Sequence, residues 1–316
     1  MSSFRPFTVA DYPALAELRN LVWGEARSAN GLRQEDAEFE GDLLVRLVVE
    51  QDDCPVLIGG YSDTPWSPEP DKYFLTCLVH PVYQGRGLGS AWFAQIFAEL
   101  QDRGARLLTA TARDDHAFAV PFLERRGFQR TIREPESRLD VTNFDPTPFR
   151  AVAERTAAEG ISIMSLAELR DRSPNWARQC WELEWALIQD IPTTEPFARE
   201  PVEAFAERLN DPSFCIDGYF LAVDTASRMV VGISTVDVSD GDPRVWGCGL
   251  TGVLRSHRRR GIALALKLRA IAYAAAHGAS ILVTDNEENN PMYTLNQRLG
   301  FRYAWSWLGF ERQLRS

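Results

Sequence analysis

Gly249 to Lys267 reads Gly-Leu-Thr-Gly-Val-Leu-Arg-Ser-His-Arg-Arg-Arg-Gly-Ile-Ala-Leu-Ala-Leu-Lys. The first six residues, Gly249 to Leu254, make a short apolar strand. Arg255 to Gly261 then form a basic turn. Ile262, Leu264, Leu266 and Leu268 continue as a helix too apolar for an exposed face. Strand, glycine-bearing basic turn and helix together suit a phosphorylated ligand. The amides at a helix start lack intrahelical acceptors, and the helix dipole adds partial positive charge there. Gly261 and the small Ala263 let an anion approach the backbone.

The pattern occurs a second time in Leu75 to Phe93, Leu-Thr-Cys-Leu-Val-His-Pro-Val-Tyr-Gln-Gly-Arg-Gly-Leu-Gly-Ser-Ala-Trp-Phe. With Gln84 aligned on Arg258, Val79 falls on Val253, Gly87 on Gly261 and Gly89 on Ala263. Gly127-Phe128 and Gly300-Phe301 agree with that spacing to within one residue. The chain is therefore a tandem repeat of a domain-sized unit.

Gln84-x-x-Gly87-x-Gly89 and Arg258-x-x-Gly261-x-Ala263 resemble the Q/R-x-x-G-x-G/A pattern of the GNAT acetyltransferases. The closing Leu123-Glu124-Arg125-Arg126-Gly127-Phe128 and Asn296-Gln297-Arg298-Leu299-Gly300-Phe301 match as well. The resemblance covers nearly the whole chain. It implies two tandem GNAT folds, an α/β (α+β) architecture with a mixed sheet, and acetyl-coenzyme A as co-substrate. The implied division is an N-terminal unit over 1–145 and a C-terminal unit over 146–316. The boundary falls in Asn143-Phe144-Asp145-Pro146-Thr147-Pro148, where two prolines interrupt a polar stretch.

A chain of 316 residues is long enough for two domains, each burying its own core. A net charge of −10 disfavours nucleic acid and anionic membrane surfaces. No apolar run reaches the ~20 residues of a membrane span, and Met1-Ser2-Ser3-Phe4-Arg5 lacks a signal-peptide core, so a cytoplasmic protein is expected. Five scattered cysteines and four scattered histidines suggest neither a disulfide frame nor a metal.

By resemblance, the pyrophosphate lies on the turn amides. These are Arg258, Arg259, Arg260, Gly261, Ile262 and Ala263 in unit two, and Gln84, Gly85, Arg86, Gly87, Leu88 and Gly89 in unit one. Strand amides of Gly252 and Val253, or of Leu78 and Val79, face the thioester carbonyl in the same family. Preorganised donors of this kind are worth roughly 3 kcal/mol in the transition state. Thr284 to Met292 resembles an asparagine signature of one GNAT branch, with Asn286, Asn290 and Asn296 in register. Such asparagines can pair with the amides of the pantetheine arm; a helix cap accounts for one of them.

The tyrosine that many GNAT enzymes use toward the departing thiolate is replaced by Leu123 and Asn296. Tyr293, one turn earlier, is a substitute candidate. For the base, Glu182, Glu184, Asp190 and Glu195 lie on the helix and loop that border the acceptor site in this fold. Taken singly, each reads as a surface carboxylate. Asp190 is preferred because Asp-Ile-Pro ends the helix, and Glu184 joins it as a candidate.

The expected activity is acetyl transfer to a primary amine of a small molecule by a monomer or homodimer. Unit two is expected to be catalytic. Unit one, with Pro121 in its closing helix, is expected to be structural and to bind coenzyme A weakly or not at all. The alternatives are a non-catalytic acyl-coenzyme A sensor or scaffold, and a protein N-acetyltransferase. Of Trp176, Trp181, Trp185, Trp246, Trp305 and Trp307, abundant in unit two, most are read as core or unit interface and one or two as lining of the acceptor pocket.

Overall fold

The computed structural model describes residues 3–191, 197–211, 214–239 and 241–314. They fall into two compact units. Unit one gathers the described residues of Met1–Glu134 and Trp305–Ser316 with Phe197 and Ala198; unit two gathers those of Pro135–Thr193 and Arg199–Ala304.

Unit one begins with β1 (Phe4–Pro6), α1 (Tyr12–Trp23) and α2 (Ala29–Ala37). Then come β2 (Leu44–Gln51), β3 (Cys54–Ser62), β4 (Lys72–Val79), α3 (Leu88–Asp102), β5 (Leu107–Arg113), α4 (Ala119–Glu124) and the start of β6 (Gln129–Asp140). Asp52 and Asp53 join β2 to β3 with φ of 52° and 60°, the left-handed pair that a tight hairpin needs. β4 and β5 pair in parallel from Lys72 opposite Leu107 to Leu75 opposite Ala110, and then separate. Trp92, Ile96 and Leu100 of α3 pack on the sheet with Leu75 and Leu108. Leu15, Leu18 and Leu32 of α1 and α2 form a separate core with Val48, Ile58 and Leu78.

Unit two contains α5 (Arg150–Ala158), β7 (Ile161–Ser165), α6 (Leu166–Arg172), α7 (Trp176–Ile188) and α8 (Val202–Asn210). It continues through β8 (Tyr219–Asp224), β9 (Val230–Val238), β10 (Val245–Val253), α9 (Ile262–Ala276), β11 (Ile281–Asp285) and α10 (Pro291–Arg298) to the start of β12 (Arg302–Gln313). Here too the parallel pair β10/β11 ends early, at Gly247 opposite Val283. The β9/β10 register shifts between Cys248 and Thr251, a bulge that β3/β4 lacks. The apolar run of α9 is buried along its length, from Ile262 to Ala274.

The final strands differ from the sequence expectation. By its place in the repeat, Gln129 to Val141 supplies the last one or two strands of the first unit, yet Glu136–Asp140 of β6 pairs antiparallel with β11. Phe301 to Leu308 reads likewise as the final strand of the second, yet Trp307–Gln313 of β12 pairs antiparallel with β5. A strand's own residues mark which face is buried and not which edge it joins, so local sequence cannot say which copy of the sheet receives which strand. Phe7-Thr8-Val9 alternates as a first strand would, yet the strand lies earlier, at Phe4–Pro6, because Asp11 accepts from the Thr8 amide at 2.7 Å and its hydroxyl at 2.9 Å and winds Val9–Asp11 into a turn. α6 went unread, although Ser165 and Glu168 form a capping box at its start.

Candidate active site

The two turns share one backbone. Gly87 and Gly261 stand at the helix starts with φ of 85° and 80°, and Gly85 and Arg259 precede them at 71° and 64°. Gln84 Nε2 donates to the Val79 carbonyl at 3.0 Å, and Arg258 Nε donates to the Val253 carbonyl at 3.0 Å. The first residue of each pattern therefore pins its turn to the end of the preceding strand.

Their surroundings differ. A Cβ on Gly87 would meet nothing within 4 Å, and one on Gly85 would meet only the Phe118 ring, at 3.6 Å. A Cβ on Gly261 would stand 2.6 Å from Val152 Cγ1 and 3.0 Å from Thr156 Oγ1, both on α5. The Thr156 hydroxyl reaches the Arg260 carbonyl at 3.0 Å. Arg260 Nε donates to Glu159 at 3.2 Å, and Asp190 accepts from both Arg255 (Nε, 2.9 Å) and Arg258. Turn two is backed by a helix, and its Arg255, Arg258 and Arg260 are matched by acids of its own unit.

In unit one a cavity of about 470 Å³ lies against the turn, lined by Tyr83, Gln84, Gly85 and Gly87 to Ser90. It extends along the edge of β4 at Thr76, Cys77 and Val79 to Thr111 and Ala112 of β5, with His116 and Leu123 on its wall. Because the β4/β5 ladder stops at Leu75 and Ala110, these residues border the split between the strands. Trp92 also lines the cavity, and its buried indole Nε1 has no hydrogen-bond partner. A free helix start for phosphates, a mostly apolar channel and an orphaned donor fit coenzyme A. When bound, acetyl-coenzyme A supplies the acetyl group as a thioester.

His116 stands 3.9 Å from Asp115, whose carboxylate Arg113 grips at 3.0 and 2.7 Å. Burial pushes the imidazole below its ordinary value, and the Arg113 hydrogen bonds hold the Asp115 carboxyl low. The sequence reading overlooked His116 because a lone histidine after a strand carries no motif.

The catalytic candidates of unit two do not converge. Asp190 is held low by its hydrogen bonds to Arg255 and then Arg258, which makes it a weak proton acceptor. Glu184 is mostly buried, accepts from the Tyr219 hydroxyl at 2.5 Å and lies 3.7 Å from Arg208; burial pushes its carboxyl up. Glu182 pairs with Arg178 at 3.0 Å on the helix surface. Tyr293 sits half-buried in the first turn of α10. Glu195 lies outside the described residues. Asn290 caps α10, its side chain accepting from the Met292 amide at 3.0 Å. Asn296 Nδ2 donates to Asn286 at 2.7 Å, while its own buried Oδ1 lacks a partner. Leu187 of α7 covers Gly252, where a Cβ would meet it at 2.9 Å. Among the described residues no group of three or more His, Cys, Asp or Glu side chains could hold a metal ion, and no helix is long and apolar enough to cross a membrane.

A family model described as acetyltransferase (GNAT) family matches residues 12–128 and again 176–301. The chain belongs to this family. It is a GNAT acetyltransferase built from two tandem GNAT folds, as both the repeated match and the structural neighbours show. A mycothiol acetyltransferase of Thermobifida fusca is 26% identical over 255 residues, covering 78% of this chain and 76% of that protein. Among solved structures, a GCN5-related N-acetyltransferase from Sphaerobacter thermophilus superposes with a TM-score of 0.73 at 20% identity, over 99% of this chain and 96% of the other. A tandem GNAT protein from the clavulanic acid biosynthesis pathway gives 0.72 at 20% identity over the full length of both. At that identity these two structures speak for the fold alone.

Proposed function

We propose that this GNAT enzyme transfers an acetyl group from acetyl-coenzyme A to a primary amine of a small molecule, and that unit one holds the donor. The observation that carries the second half is the cavity running from the Gly85–Gly89 turn to the split between β4 and β5. The relatives named mycothiol acetyltransferase support a small-molecule acceptor. In this reading the amides of Gly85 to Gly89 hold the pyrophosphate. The Gln84 bond to Val79 keeps the turn in register with the strand. Leu78 and Val79 orient the carbonyl, and the apolar walls around Trp92 and Phe93 exclude water. His116, neutral near pH 7, stands ready to receive and pass on a proton.

A second reading makes unit two catalytic. The bulge between Cys248 and Thr251 and the orphaned Asn296 Oδ1 favour it. Release of free thiol from acetyl-coenzyme A with a panel of amines distinguishes the two. Gly87→Glu brings bulk and negative charge to turn one, where there is room for them. Arg259→Asp reverses the charge of turn two with a residue that tolerates its left-handed backbone. Activity lost in the first and kept in the second supports unit one; the opposite outcome supports unit two.

A further inference from the structure

His116 reaches the wall of the unit-one cavity from the loop that follows β5, Arg113-Asp114-Asp115-His116. That loop is held along its length. The Asp114 amide donates to the Ser306 carbonyl at 2.9 Å, and the Asp114 carboxylate accepts from the Ser306 amide at 2.9 Å. The His116 amide closes a turn on the Arg113 carbonyl at 3.3 Å. Arg113 is the hub. It is buried, with its guanidinium 3.6 Å from the centroid of the Trp305 ring. Nε and Nη2 hold the two oxygens of Asp115, and Nη1 donates to the Trp23 carbonyl. Val22 and Trp23 line the same cavity as His116. Gly24 leaves room for the guanidinium, since a Cβ there would stand 2.9 Å from Nη1. One cation thus ties the end of α1, strand β12 and the His116 loop together.

Arg113 and Asp115 are the charged groups that face the imidazole, with an Asp115 oxygen 3.9 Å from Nε2, and α1 presents the Val22 carbonyl to it. Cys77, Tyr83 and Arg125 are the other titratable residues of the cavity lining. A lone carboxylate at that range would favour the imidazolium. Here the carboxylate is taken up by two charge-assisted bonds from Arg113, which brings an opposing charge of its own. Burial and the Arg113 charge lower the imidazole, and the Asp115 charge opposes them. The loop after β11 reads Asn286-Glu287-Glu288-Asn289-Asn290 and carries neither arginine nor histidine, so the arrangement has no counterpart there.

We propose that Arg113 is the positioning residue of the acetyl-transfer site: through Asp115 and the end of α1 it holds the His116 ring on the cavity wall beside a matched ion pair. The proposal rests on His116 receiving the proton that the acceptor amine sheds. A neutral ring can take that proton, and an imidazolium cannot.

The test follows the titration of the His116 ring by NMR on the full chain, its signal identified by its absence from His116→Gln. Arg113→Gln keeps a donor for Asp115 but drops the charge, and should raise the midpoint by at least about half a pH unit. Asp115→Asn keeps an acceptor for Arg113 but drops the opposite charge, and should lower the midpoint by a similar amount. Arg113→Lys keeps the charge and should stay nearer the wild type than Arg113→Gln does. A purely structural Arg113 would not move the midpoint in opposite directions. Asp115 is exposed, so Asp115→Asn decides even where Arg113→Gln fails to fold. A midpoint that stays at the wild-type value in Asp115→Asn, or that moves the same way in both variants, overturns the proposal. The pH dependence of thiol release from acetyl-coenzyme A, with the fastest amine of the panel, separates it from the reading beneath it. The acid limb should follow the NMR midpoint in each variant. If the midpoints move as stated and the acid limb stays put, His116 is not the proton acceptor and the proposal falls with that reading. If the midpoints stay put while His116→Gln abolishes transfer, the proposal alone is wrong.

Discussion

Gly87 and Gly261 adopt the same left-handed backbone, so any L side chain at either costs about 1–2 kcal/mol of strain. Only Gly261 adds a steric term, because α5 stands where the Cβ would go. Gly87→Ala should therefore lower stability by about 1 kcal/mol, and Gly261→Ala by about 3 kcal/mol, read from urea unfolding midpoints. Equal losses would show that α5 yields without cost. Asp190 gives a matching contrast. Asp190→Asn should leave Arg255 and Arg258 without their carboxylate, and the affinity of turn two for coenzyme A should rise in calorimetry.

At the scale of elements, short local contacts decide where helices begin. Ser165 accepts from the Glu168 amide at 3.3 Å while Glu168 accepts from the Ser165 amide at 2.7 Å. Ser165→Ala should cost about 1 kcal/mol in unfolding free energy. Asp11 ties the entry of α1 to β1 through Arg5, at 2.7 and 2.9 Å. That pairing, with the Thr8 bonds, lowers its carboxyl to about 2. A depressed folded value means the stabilisation is whole above the ordinary carboxylate range and is lost as pH falls toward 2. Arg5 is partly exposed, so about 1 kcal/mol is the expected size. The stability gap between the wild type and Asp11→Asn should be full at pH 7 and close between roughly pH 4 and pH 2. A gap that persists at pH 2 would mean that packing, not charge, holds the junction.

For the whole molecule, the exchanged strands matter most. Unit one includes Trp307–Gln313 beside β5. A fragment of residues 1–145, cut at the linker, lacks that strand and exposes the β5 edge with its backbone groups unpaired. It should fail to fold cooperatively and should aggregate. Addition of a peptide spanning residues 302–314 should restore a thermal transition by circular dichroism. A stable, monomeric 1–145 fragment would show that β12 is dispensable to unit one.

The sequence by itself determined the tandem repeat, the two strand–turn–helix elements and the family. Each element rests on short-range spacing, where apolar side chains recur and where a glycine permits positive φ, and the repeat rests on the recurrence of that element later in the chain. Even there it missed α6 and misplaced β1, because a single cap or carboxylate outweighed the pattern. Only the tertiary structure shows that turn one opens on a cavity and that α5 stands against turn two. Thr156 reaches Arg260 across 104 residues, and nothing in either segment announces that contact. The same holds for Trp307, which lies in the second repeat by sequence yet lines a cavity of the first unit. Glu35 and Asp36 lie on α2 and Glu25 between α1 and α2, and only the fold brings the three to one pocket. Strand patterning encodes which face is buried, but not which edge a strand will join, and on that choice the pocket that Trp307 lines depends.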